Sequence, residues 1–308
     1  MKSLPKKLKL LQEVKENPID WEKEKIVSYS QFSTWKQCPH RWKLQSVDKL
    51  KSPPNMNLVF GSAIHTTLQA YLSKMYKVSA AAADRDDLMG AFEQNLREEY
   101  KKSLEKNGGK LFTTKEDFYD YFEDGRHILE FFQKKRSLYF SSRGMHLIGV
   151  EFPLSCAVHE DYPNVLMKGF IDLILYDESD EKIYIYDFKT TKNSWRESDK
   201  KDETKIAQIL LYKEFFSRLF NWDIDKIEVE FFILKRKIYE DAEFPQKRVQ
   251  QFTPPSGTGK RNKAVESFKE FIEDCFQKNG EYQIKDYEKK FGKHCSWCPG
   301  SNTCRLDI

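Results

Sequence analysis

Asp172 in one apolar segment, and Asp187 with Lys189 in the next, are the residues of this 308-residue chain best placed to do chemistry. Residues 167–191 read MKGFIDLILYDESDEKIYIYDFKTT. Two runs rich in Ile, Leu, Tyr and Phe flank the polar segment Asp177–Lys182, which is the pattern of a β-hairpin. If the connection is symmetric about its midpoint, between Ser179 and Asp180, position 172 stands opposite position 187. Like charges opposed in apolar strands repel. A divalent cation resolves that repulsion, and hard carboxylate oxygens suit Mg²⁺ or Mn²⁺, which also bind phosphate oxygens. Lys189 lies two residues beyond Asp187 and leaves the same strand face. An ammonium there can orient an attacking water or stabilise charge building on a phosphorus centre. A simple salt-bridge ladder, with Lys189 neutralising Asp187, is the alternative that the hairpin alone leaves open.

The elements around the hairpin must hold it. A helix is expected from an N-cap near Ser30 through Gln31–Gln45, with a loop at Lys51–Asn57 and a second helix after Gly61-Ser62. The pattern from 79 to about 140 is helical, broken at Asn107-Gly108-Gly109, and reads as an insertion spanning 79–145. Strand character covers His146–Pro153, Leu166–Tyr176, Lys182–Lys189 and Lys226–Lys235. An amphipathic helix spans Glu203–Phe220, and another is expected near Ala264–Gln277 after a turn-rich basic loop at Thr253–Asn262. Residues 1–27, charged and carrying Pro18, read as a peripheral arm. The order of elements indicates a mixed α/β core.

Composition sets wider bounds. Hydrophobic content of 39% and aromatic content of 14% support a packed core, and mean hydropathy of −0.72 suits a protein without membrane spans. No apolar run approaches ~18 residues. Met1–Leu11 lacks the pattern of a signal peptide, so the expected location is cytoplasmic. A net charge of +4 permits a nucleic-acid partner without demanding one, but Lys and Arg gather at 36–51, 134–143, 235–237 and 260–263, often beside aromatics. Gly257-Thr-Gly259-Lys260 fails the spacing of a phosphate-binding loop. Six cysteines without an export signal point to metal or cluster ligation in preference to disulfides. Cys295-x-x-Cys298-x-x-x-x-x-Cys304 is a compact three-thiolate group that needs a fourth ligand from elsewhere, while Cys156 and Cys275 read as packed core residues.

Gly169-Phe-Ile-Asp172 followed by Asp187-Phe-Lys189-Thr-Thr resembles the core of the PD-(D/E)-x-K nucleases, in particular their RecB-like branch. The resemblance implies a restriction-endonuclease-like α/β fold, with a central mixed sheet flanked by helices, over residues 28–308. It further implies that Asp172 and Asp187 hold the metal, that Phe188 lends its carbonyl, and that Lys189 assists hydrolysis. Gly61-Ser-Ala-Ile-His65 is similar to the branch's G-x-x-x-H helix, which makes His65 a further metal ligand where it would otherwise be an ordinary first-turn residue. Gln208 and Tyr212, on one helix face, resemble its Q-x-x-x-Y substrate-contacting pair. Glu151 is a weaker candidate for an accessory acid. Cys38, in Gln-Cys-Pro-His-Arg-Trp, resembles the first cluster ligand of RecB-like nucleases of the AddB and CRISPR-associated types. That resemblance assigns Cys38, Cys295, Cys298 and Cys304 to a [4Fe–4S] cluster, with the tail 295–304 as its binding segment. Four thiolates also suit structural Zn²⁺, the less favoured alternative. The implied activity is DNA exonuclease action on single-stranded ends in repair, recombination or mobile-element processing, with a helicase or recombination protein as possible partner. A cluster-bearing DNA-binding module with an idle nuclease centre is the competing reading.

Overall fold

Alternating apolar residues along the hairpin segments produce the two central strands of a six-stranded mixed sheet. The computed structural model describes residues 5–16, 20, 23–140, 143–238, 243–244 and 246–304. In chain order the first elements are α1 (Lys6–Gln12), β1 (Lys25–Val27), α2 (Tyr29–Gln37), α3 (Pro39–Ser46) and α4 (Met56–Lys77). Next come α5 (Ala80–Asp84), α6 (Leu88–Lys106), α7 (Lys115–Lys135), β2 (Met145–Ala157), β3 (Val165–Asp177) and β4 (Lys182–Thr191). The chain ends with α8 (Glu197–Lys201), α9 (Glu203–Phe220), β5 (Ile227–Lys235), β6 (Val249–Phe252), α10 (Thr258–Cys275) and α11 (Ser301–Cys304).

β3 pairs antiparallel with β2 on one side. On the other side it meets β4, antiparallel, only from Leu173 to Asp177, and β1, parallel, only from Val165 to Met167. β4 continues alone alongside β5, parallel to it through the α9 crossover, and β6 closes that edge. The sheet therefore forks between β3 and β4.

Both faces are covered. Ile183, Ile185, Val229, Phe231 and Ile233 pack under α2, α9 and α10, joined by Leu8, Leu11 and Trp42. Leu173, Leu175, Tyr186, Phe188, Phe232 and Leu234 pack under α4, α6 and α7. Within the stretch expected to be a helical insertion, α6 and α7 join α4 in the layer that closes one face of the sheet. The first 27 residues are less peripheral than their charge suggests, since Leu8 and Leu11 are buried and Lys25–Val27 adds a strand.

Several boundaries differ from expectation for local reasons. The helix expected over Gln31–Gln45 starts earlier, capped by Ser28, and is two helices broken at Cys38. Cys38 takes an extended φ of −162° because the following Pro39 disfavours helical geometry in the residue before it. Asn55 caps α4, so that helix begins ahead of Gly61 and shortens the expected loop. α10 begins at Thr258, inside the segment expected to be a basic loop.

Candidate active site

The hairpin register is the symmetric one: Leu173 pairs with Tyr186, which places Asp172 and Asp187 at the next position, where the ladder stops. Asp172 fills the break, its Oδ2 accepting from the Phe188 N–H at 2.6 Å. A side chain thus replaces a strand hydrogen bond and pins the first acid to the main chain of the second strand. Phe188 itself points into the opposite core, against Phe232 at 5.6 Å and edge-on to His65 at 6.0 Å. What it offers the site is main chain.

Asp187 is 2% exposed. Burial pushes its carboxyl up to about 6; the Lys189 ammonium opposes the shift and the Asp172 charge adds to it. Lys189 Nζ lies 2.7 Å from Asp187 Oδ2, yet that oxygen receives no well-oriented hydrogen bond. The same ammonium donates to Gln208 Oε1 at 2.7 Å, and Gln208 Nε2 donates to the Tyr212 hydroxyl at 3.2 Å. Lys189 is therefore held between a strand acid and a helix amide, and the Gln208–Tyr212 pair lies over the acids. Tyr212 gets there because residue 169 is glycine: a Cβ on Gly169 would come within 2.9 Å of the Tyr212 ring. Burial and the nearby Asp187 charge raise the Tyr212 phenol.

α4 supplies the remaining polar groups. Gly61 packs so close to β4 that a Cβ would sit 3.1 Å from Thr190 Oγ1, and one turn later His65 Nδ1 stands 3.7 Å from Asp172 Oδ1. Gln69, a further turn along and buried, donates to Glu151 Oε1 at 2.5 Å and reaches Asp172 Oδ1 at 3.4 Å. Glu151 lies in β2 between the partners of Leu173 and Ile171, beside Asp172, with a positive φ of 47°. Burial raises its carboxyl, the Gln69 hydrogen bond opposes this, and the Asp172 charge adds to it. Positive φ is uncommon outside glycine, and here it turns an acid toward the site. Sequence reasoning missed Gln69 and Tyr29, whose buried phenol feels the Asp187 charge. For Gln69 a signal existed, because it sits one turn beyond His65 on the same helix. For Tyr29 there was none.

Among the described residues no three His, Cys, Asp or Glu side chains close into a ready-made metal cage. Mg²⁺ asks for less, since it binds through one or two carboxylates and keeps several waters. Asp187, buried beside a second carboxylate with only the Lys189 ammonium against it, fits that demand.

The four cysteines Cys38, Cys295, Cys298 and Cys304 line one small pocket, together with His40, Arg41 and His294. None is in a disulfide. Cys38 Sγ accepts from the N–H groups of Arg41 and Lys290, each at 3.4 Å. Arg41 is buried, and its Nε has no acceptor. Burial lowers its guanidinium pKa. Cys156 and Cys275 lie outside this pocket with thiols raised by burial, that of Cys156 to about 12.

A forked mixed sheet between helical layers is the α/β architecture of the restriction-endonuclease-like fold. The family model of the PD-(D/E)XK nuclease superfamily matches residues 26–305, and the chain belongs to that superfamily. No curated protein was found to match it. No helix among the described residues is long and apolar enough to cross a membrane.

Proposed function

We propose that the protein hydrolyses phosphodiester bonds in DNA with Mg²⁺ or Mn²⁺ held by Asp172 and Asp187, with His65 and the Phe188 carbonyl as further ligands. The observation that carries this reading is the buried Asp187 carboxylate, set beside Asp172 at the end of the hairpin ladder with the Lys189 ammonium 2.7 Å away. When bound, the ion supplies Lewis acidity and an anchor for the scissile phosphate. Lys189, held at 2.7 Å from both Asp187 and Gln208, orients the attacking water and offsets charge on the phosphate. Asp172 keeps its orientation through the Phe188 N–H, and Gln208 and Tyr212 bear on the substrate strand.

The resemblance to RecB-like nucleases extends this reading to exonuclease action on DNA with single-stranded ends, in repair, recombination or mobile-element processing, beside a helicase or recombination protein. It also assigns Cys38, Cys295, Cys298 and Cys304 to a [4Fe–4S] cluster, and their shared pocket with N–H donors to Cys38 supports thiolate ligation. The deciding assay uses labelled single- and double-stranded DNA with Mn²⁺ and compares wild type with Asp187→Ala. Equal degradation by both proteins, or none by either, overturns the nuclease assignment. Anaerobically purified protein should contain iron and absorb broadly in the visible. Stoichiometric zinc without iron refutes the cluster.

A further inference from the structure

β5 ends in three consecutive cations, Lys235, Arg236 and Lys237, and they are treated differently. Arg236 and Lys237 both reach the buried Asp124 of α7, at 3.4 and 2.8 Å, and Arg236 also stacks 4.1 Å over Tyr121. Lys235 points to the other face. It is only 7% exposed, and no carboxylate of the described residues lies within ion-pair distance of it. The charge that bears on it is another cation, Arg248, whose carbonyl accepts from the Lys235 N–H at 2.8 Å. Burial, then Arg248, lowers the Lys235 ammonium pKa. Its stem is covered, while Nζ is not among the enclosed, unpartnered side-chain atoms. A partly desolvated ammonium without a counter-ion is costly, and an anion from outside would reduce that cost.

Its position says which anion. Asp187 pairs with Phe231, Lys189 with Ile233 and Thr191 with Lys235. Alternate residues of paired strands share a face, so Lys235 continues the face that carries Asp187 and Lys189. Two residues along the strand and one strand across place its Cα roughly 8 Å from that of Lys189. The roughly 3.4 Å rise per phosphate of a duplex is axial, and an extended strand spaces its phosphates by about twice that, so this separation is on the order of one nucleotide.

We propose that Lys235 binds a backbone phosphate of the substrate strand about one nucleotide from the scissile bond, and so positions the strand at the acids. This rests on the nuclease reading of the fork. A phosphate contact carries no base information, so the effect is uniform across sequences.

The test is Lys235→Met, which keeps the stem and removes the charge, with Lys235→Arg as the conservative variant. For a single-stranded oligonucleotide, Lys235→Met should raise KM about tenfold while kcat stays within about twofold, as expected for loss of one charge-assisted contact. In equilibrium binding by anisotropy, the slope of log K against log salt should fall by about 0.7, the value for one phosphate on a single strand. Lys235→Arg should restore both quantities. Melting temperatures of the variants serve as the folding control, and Lys235→Met should not lower the wild-type value. An unchanged KM and salt slope, or a fall in kcat with KM unchanged, overturns the proposal. Absence of metal-dependent cleavage by wild type would instead sink the nuclease reading, and the anisotropy comparison would still decide whether Lys235 binds phosphate.

Discussion

The carboxylate fork and the cysteine pocket both gather residues distant in sequence, but they are held in opposite ways. The acids stand on central strands, and the main chain fixes them: Asp172 is bonded to the Phe188 N–H, and Asp187 is buried over a packed sheet. The cysteines come from the α2–α3 junction and from the last ten residues described, and they meet in one pocket where Cys38 Sγ bonds main-chain groups of Arg41, Glu288 and Lys290. A site on strands is preformed and keeps its shape when its ion leaves. A site between chain ends depends on what it binds, because that group is part of the packing.

Four experiments break or sharpen that contrast. The largest effect belongs to Asp187→Ala, or Asp172→Ala, which should reduce single-turnover cleavage by on the order of 10³-fold or more while the protein stays folded. Loss of the fold would show that the fork is not preformed. Cys298→Ala should lower the melting temperature of the loaded protein by about 10 °C and release the C-terminal segment to protease, with Mn²⁺ affinity at the fork unchanged. An unchanged melting temperature would remove the distinction between the two sites.

The third experiment concerns pH. The folded Asp187 carboxyl, raised to about 6 from an ordinary 3.8, binds its proton more tightly than in the unfolded chain. Its contribution to stability is therefore complete below about pH 4 and is lost as pH rises to about 6. Metal-free Asp187→Asn should then exceed wild type in stability at pH 7, by on the order of 2 kcal/mol, with the difference vanishing near pH 4 in urea titrations. The smallest effect is that of Gly169→Ala. Its Cβ would press on the Tyr212 ring at 2.9 Å, so it should cost about 1–2 kcal/mol and slow cleavage about tenfold through displacement of Tyr212. A crystal structure of the variant with Tyr212 unmoved would exclude that route.

The hairpin register was legible because a strand period of two and a short symmetric turn leave one way to oppose residues 172 and 187. The helix Glu203–Phe220 was legible from its period, and the pairing of Gln208 with Tyr212 came with it. Residues 1–27 misled because composition describes their charge and says nothing of a three-residue strand that gains its partners only in the folded sheet. Glu151 was visible only as a weak candidate, since its positive φ and its contact with Gln69 depend on α4 crossing β2. The cap at Asn55 and the start of α10 at Thr258 belong to the end turns of helices, where periodicity is weakest. The glycines at 61 and 169 looked like motif letters, and each is a clearance for a neighbour that arrives from another part of the chain.

The fork in the sheet has one further consequence. Between Met167, the last residue of β3 paired with β1, and Leu173, the first paired with β4, that edge of β3 has no strand partner. Across the gap, the stretch of β4 from Asp187 to Thr191 is paired only with β5. Asp172 spans that gap through the Phe188 N–H. The two acids therefore stand where the sheet's own hydrogen bonding is interrupted, and one side chain takes the place of the missing ladder.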